Sequence, residues 1–172
     1  MKSIKFNLVL LAVSLFSFAG VAQAQKDIVD VAVGSEAHTT LVAAVQAADL
    51  VATLKSAGPF TVFAPTNDAF AKLPAGTVET LLKAENKAAL AGVLTYHVVA
   101  GSFDAKAVVA AIQKSKGKLV LTTVAGGKLT ASIEGGKVIL TDENGGKATV
   151  TTTDLKASNG IIHVIDSVVL PK

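Results

Sequence analysis

The sequence predicts an α+β fold, and three observations carry that reading. Phe60 to Phe70 (Phe-Thr-Val-Phe-Ala-Pro-Thr-Asn-Asp-Ala-Phe) is a β-forming run that breaks at a proline into a capped helix start. The stretch from Asp27 to Gln113 otherwise shows apolar residues at helical spacing. From Lys118 onward the pattern changes to short alternating runs separated by glycine pairs.

The N-terminus comes first. Lys2 and Lys5 precede an apolar run from Phe6 to Ala19, and Ala22-Gln23-Ala24 supplies small residues at a cleavage site before Gln25. This pattern predicts a signal peptide over residues 1–24 and one exported domain over 25–172, in the periplasm or outside the cell. The run is short for a membrane span and no second candidate follows, so no membrane insertion is expected after cleavage.

Removing Lys2 and Lys5 from 16 basic residues leaves 14 against 13 acidic ones. The remaining chain is therefore near neutral, and its basic residues are all lysine. Bidentate reading of phosphate or guanine by arginine is unavailable, which argues against nucleic acid as a partner. Absence of cysteine excludes a thiol nucleophile, thiolate metal sites and covalent haem. The domain must be held by its core, and that core is built of Ala, Val and Leu.

Taken in order, Asp27 to Val33 reads as a short amphipathic helix ended by Gly34. Thr39 or Thr40 is expected to cap the next helix, which carries Leu41, Val45 and Ala48. Asp49 opens a further segment with Leu50 and Leu54 on one face, stopped at Gly58-Pro59. In Phe60–Phe70, Pro65 fixes φ and biases Ala64 toward extended geometry, so the strand ends there. Thr66 then caps the following turn, with Asn67 and Asp68 suited to a helix N-terminus.

Leu73 to Gly76 is a turn and Thr77 to Ala84 a short helix. Asn86 is expected to cap Lys87–Thr95, where Leu90, Val93, Leu94 and His97 fall at i, i+3, i+4 and i+7. Tyr96 to Val99 hands that helix to a strand. Asp104 to Gln113 forms the last helix, capped by Ser102 or Asp104.

Gly126-Gly127, Gly135-Gly136 and Gly145-Gly146 each precede a lysine (Lys128, Lys137 and Lys147). They are read as corners of an antiparallel meander, since neither a following helix nor a Gly-Lys-Ser/Thr pattern makes them a phosphate cradle. Ser158-Asn159-Gly160 is the last turn. Ile161 to Asp166 is apolar on both faces, as a buried central strand would be. Ser167 to Leu170 is expected to complete the sheet.

Three of these segments, in this order, resemble the signature segments of the fasciclin (FAS1) domain. Phe60–Phe70 resembles its first box, Tyr96-His97 its central Tyr-His motif, and Gly160–Pro171 (Gly-Ile-Ile-His-Val-Ile-Asp-Ser-Val-Val-Leu-Pro) its second box. The likeness covers essentially all of residues 25–172 and is similar to the small secreted single-domain bacterial members. It implies a wedge-shaped β-sheet with helices packed on it, and an extracytoplasmic, non-enzymatic module of adhesion or protein contact, monomeric and without cofactor. The implied partner is an extracellular protein or surface polymer. In animal relatives the Tyr-His motif and its branched neighbours are associated with integrin recognition. By resemblance, then, Tyr96 and His97, flanked by Leu94, Val98 and Val99, are the candidate partner-binding residues. Thr66, Asn67, Asp68 and His163 match polar positions of the two boxes that are structural.

The residues themselves leave two readings of Tyr96-His97 open: direct partner contact, or a hydrogen-bonded pair inside the fold. Catalysis and metal binding find little support. His97, His163, Asp68 and Asp166 show no His-x-His or His-Glu-x-x-His spacing, and Ser158 and Ser167 lie outside any Gly-x-Ser-x-Gly elbow. An extracytoplasmic binding protein for a small ligand or carbohydrate polymer is the alternative function.

Overall fold

The computed structural model describes residues 25–172; the expected signal peptide lies outside them. Seven α-helices and seven strands make up the described chain, with all the helices before β3. The helices are α1 (Ile28–Val33), α2 (Thr39–Ala47), α3 (Val51–Leu54), α4 (Asn67–Ala71), α5 (Thr77–Leu81), α6 (Lys87–Tyr96) and α7 (Ala105–Lys114). The strands are β1 (Phe60–Pro65), β2 (Val98–Ala100), β3 (Lys118–Thr122), β4 (Lys128–Glu134), β5 (Lys137–Thr141), β6 (Lys147–Ala157) and β7 (Gly160–Ile165). The fold is α+β, with the FAS1-like arrangement of a wedge-shaped sheet carrying helices.

All seven strands form one sheet in the order β2-β1-β7-β6-β5-β4-β3. The meander supplies β3 to β6 through antiparallel hairpins. β7 then returns to lie parallel to β1, from Phe60↔Gly160 to Pro65↔Ile165. The two ends of the sheet approach each other where Val99 bridges Thr123 and the Val124 N–H donates to the Val98 carbonyl at 2.8 Å. Little edge is left unpaired there, which removes a template for aggregation.

β1 and β7 are buried on both faces, and their alternation divides two cores. Val62, Ala64 and Ile162 meet Ile28, Leu41, Val45, Leu54, Leu90 and Leu94 of the helical layer. Phe63 and Ile165 face the other way, into a core with Leu121, Leu129, Ala131, Leu140 and Ile112. The strand over Ile161–Asp166 is thus central and two-sided, as its composition implies.

Several local expectations change. Neither Thr39 nor Thr40 caps α2: a 3₁₀ turn, Glu36–His38, leads into it, and the Asn67 side chain accepts the Thr40 N–H at 3.0 Å. Asn86 stands before α6 but makes no side-chain cap; its amide donates to the Thr80 carbonyl at 2.7 Å. Ser167–Leu170 does not extend the sheet. β7 ends at Ile165, and the residues beyond it form an irregular strap. Asp104 does cap α7, accepting from the Ala107 N–H at 2.7 Å.

Candidate functional site

α6 ends at Tyr96, and His97 is its C-cap. The chain turns directly into β2, so consecutive residues alternate between the two cores. Leu94 and Val98 point into the helical-layer core, Tyr96 and Val99 into the sheet-enclosed one. All five candidate partner-binding residues, Leu94, Tyr96, His97, Val98 and Val99, are at most 4 % exposed. That placement offers a partner no side-chain surface. Of the two readings, the hydrogen-bonded pair inside the fold is the one the geometry supports.

The polar atoms of the pair are committed to backbone. The Tyr96 hydroxyl donates to the Lys128 carbonyl at 2.6 Å and accepts the Glu143 N–H at 3.3 Å. Burial, with the Glu143 and Asp142 carboxylates nearby, pushes this phenol above its ordinary range, so it stays neutral. His97 Nδ1 lies 2.8 Å from the Val93 carbonyl, and Nε2 accepts the Val169 N–H at 3.2 Å. An acceptor at Nε2 fixes the neutral tautomer with its proton on Nδ1. Full burial lowers the pKa of this imidazole to about 4, against the Val93 carbonyl and Asp142, which favour its charged form.

Asp142 is a partner of this unit that motif reading passes over, because it sits in an ordinary turn, Thr-Asp-Glu-Asn-Gly-Gly. Its Oδ1 accepts the Asn144 and Gly146 N–H groups at 2.9 and 2.7 Å, and Oδ2 accepts the Leu170 N–H at 3.0 Å. His97 and Asp142 therefore hold adjacent residues of the C-terminal strap. The Asn144 amide adds bonds to the Leu170 and Pro171 carbonyls, both at 3.1 Å.

The other motif residues are also structural in their contacts. Thr66 accepts the Ala69 N–H at 3.2 Å, which is the expected cap. Asn67 reaches across to the N-terminus of α2, while Asp68 is exposed. His163 donates from Nε2 to the Phe103 carbonyl at 2.7 Å, accepts the Asp154 N–H at Nδ1 and stacks on Phe63. His97 and His163 belong to separate networks, and among the described residues no three His, Asp or Glu side chains form a metal-holding group.

His38 is a third buried histidine. Its Nδ1 lies 2.8 Å from the Ser35 hydroxyl, and Nε2 has no hydrogen-bond partner. Burial holds its pKa below the usual value, with the Ala64 backbone opposing.

Exposed apolar side chains lie elsewhere than at Tyr96-His97 themselves, although Val124 bonds through its backbone to the neighbouring Val98. Val120, Val124 and Ile133 sit on or beside the meander, and Val33 is the last residue of α1. Val120 pairs across the sheet with Thr130, which pairs with Thr141. These three alternate with the core residues Leu121, Leu129 and Leu140 and so occupy the outer face. Two further concavities bear on the site. One is an apolar space beneath α1–α3, about 40 Å³ in volume. The other is an open, mixed-polarity groove of about 640 Å³ beside Gly58, Pro59, Ser102, Lys156 and Asn159.

No helix among the described residues is long and apolar enough to cross a membrane. A family model described as the Fasciclin domain matches residues 36–171. Protein sll1483 of Synechocystis is 54% identical over 157 residues, covering 89% of this chain and 80% of that protein. The immunogenic protein MPB70 of Mycobacterium bovis is 38% identical over 138 residues, 77% of this chain and 63% of its own length. Among solved structures, a FAS1 domain pair from the insect cell adhesion molecule Fasciclin I matches with a TM-score of 0.74 at 22% identity. That match covers 84% of this chain but 51% of the pair, so the chain spans about half of it.

Proposed function

The chain belongs to the fasciclin domain family, and from that premise we propose that it is an exported, non-enzymatic adhesion or interaction module. Its contacts are made with proteins or surface polymers outside the cytoplasm. The observation that carries this reading is the outer face of β3–β5, where Val120 is exposed beside the hydroxyls of Thr122, Thr130 and Thr141. A face that sets an accessible branched side chain and hydroxyls beside the lysines Lys118 and Lys128 suits contact with another surface. The buried histidines and tyrosine do not compete with it, because their hydrogen bonds go to backbone or to Ser35. The solved relative named for cell adhesion shares this fold and lends the reading its class of activity.

The test is adhesion of beads carrying the exported chain to intact cells and to isolated envelope polymers of its source. The double variant Val120→Asp, Thr122→Asp should keep the unfolding midpoint and lose at least ~90% of bead adhesion. Retained adhesion in the folded variant places the contact on another face; absence of adhesion in the parent chain sinks the module reading.

A second reading, an extracytoplasmic binding protein for a small ligand, is favoured by the apolar space beneath α1–α3.

A further inference from the structure

The sheet-enclosed core is filled by large side chains, but the helical layer is not. Ala44 on α2 and Ala48 just after it are buried, and the space of about 40 Å³ lies between the helical cover and the sheet. Ile28, Val45, Leu54, Val62, Leu94 and Ile162 are among the side chains around it. A cavity so measured needs roughly 10–15 Å³ for each water, together with two to four polar partners. There is room for several waters but too few polar partners inside to hold them, since both nitrogens of His97 are already used and Gln46 lies at the exposed mouth. Protein interiors are ordinarily close-packed, and unfilled apolar volume forfeits dispersion contacts.

The cover is secured mainly around its perimeter. Lys55 bridges Asp27 and Asp30 at 2.8 and 2.7 Å, joining the end of α3 to the start of α1. Asn159 accepts the Ile28 N–H at 3.0 Å and donates to the Leu54 and Ser56 carbonyls at 2.7 and 3.0 Å. Asn67 fixes the start of α2. Half-buried Ala32 and Val42 and exposed Gln46 also line the space, so it reaches the surface between α1 and α2.

We propose that this space receives the apolar end of an uncharged small molecule, a hydrocarbon chain bearing at most a neutral polar head. The inference rests on the small-ligand reading and gives that ligand its chemistry. The chain end takes the place of missing core atoms. The rest of it lies in the entry between α1 and α2, where the Gln46 carboxamide can bond a hydroxyl. A charged head would be unmatched: Gln46 is neutral, and Lys55 is already shared between two carboxylates.

The test is a titration of the exported chain, with carbon-13-labelled methyl groups, against n-dodecanol, dodecanoate at neutral pH and maltotriose. Dodecanol should shift the Val45, Leu54, Val62 and Ile162 methyl signals saturably and raise Tm. Dodecanoate should bind at least ~10-fold more weakly. Val45→Phe should fill the space and weaken dodecanol at least ~10-fold while the chain stays folded. If that variant fails to fold, Ala32→Leu at the entry should do the same. Equal binding of dodecanoate, or undiminished binding in the folded variant, overturns the proposal. Maltotriose shifting signals around Gly58 and Asn159, with dodecanol silent, overturns it and leaves the small-ligand reading standing. Silence from all three overturns both.

Discussion

His97 Nε2 accepts the backbone N–H of Val169 at 3.2 Å, joining the end of α6 to the C-terminal strap across 72 residues of sequence. With Nδ1 on the Val93 carbonyl, one buried ring satisfies a donor and an acceptor that no water reaches. Phe in its place would fill much of the volume and satisfy neither. His97→Phe should therefore cost about 2–4 kcal/mol, the penalty of two buried unpaired backbone groups. Urea unfolding measures it, and amide exchange at Val169 and Leu170 should accelerate more than in the centre of β7. A change under ~1 kcal/mol would remove the ring from its structural role.

The same ring makes stability depend on pH. Its pKa falls from the usual 6.5 to about 4 in the folded protein, chiefly through burial. Between those values the unfolded chain binds a proton that the folded chain refuses, so stability rises with pH across that window. It is fully present above pH 6.5 and lost as pH falls toward 4, by roughly 3 kcal/mol at most. His38, also lowered by burial, acts in the same direction. His97→Gln should be less stable than the parent at neutral pH yet show a flatter profile from pH 4 to 7. Unfolding midpoints across that range test this, and an unchanged slope in the variant would assign the effect elsewhere.

Two neighbouring glycines are required for different reasons. A Cβ at Gly127 would lie 2.6 Å from Cε2 of the Tyr96 ring, which is fully buried and has nowhere to move. Gly126 has open space around it but φ of +86°. Gly127→Ala should cost about 1–3 kcal/mol by overpacking. Gly126→Ala should cost about 1–2 kcal/mol through left-handed backbone alone. Near-ultraviolet circular dichroism separates them, because the chain has one tyrosine and no tryptophan. The Tyr96 signal should change in Gly127→Ala and hold in Gly126→Ala.

What could be read from the sequence was what depends on near neighbours. The Thr66 cap needs only Ala69, the two-sided burial of Ile161–Ile165 follows from its own composition, and the place of His97 at i+7 on an apolar face favoured burial without deciding it against partner contact. The partners of these residues were not legible. Val169, Asp142 and Asn159 acquire their roles only when the sheet brings the strap beside α6 and the last turn beside α1. The apolar space is harder still to foresee. It comes from volumes missing between elements, whereas periodicity reports only which face of each element is apolar.

Thr66, Asn67 and Asp68 test that distinction between local and long-range roles, since they are adjacent and all suit a helix N-terminus. Thr66 makes one local bond, so Thr66→Ala should cost about 1 kcal/mol. Asn67 accepts the Thr40 N–H at 3.0 Å and the Thr39 hydroxyl at 3.1 Å, and donates to the Glu36 carbonyl at 2.9 Å. Its loss uncaps α2 and unties α4 from it. Asn67→Ala should therefore be the most damaging of the three, at about 2–3 kcal/mol. Asp68 is exposed and keeps only its favourable place at the helix dipole, so Asp68→Ala should fall within about 0.5 kcal/mol of the parent. Denaturant midpoints of the three single variants give the order directly. A cost for Asp68 equal to that of Asn67 would mean that the segment acts as a local cap alone and that the bridge to α2 contributes nothing.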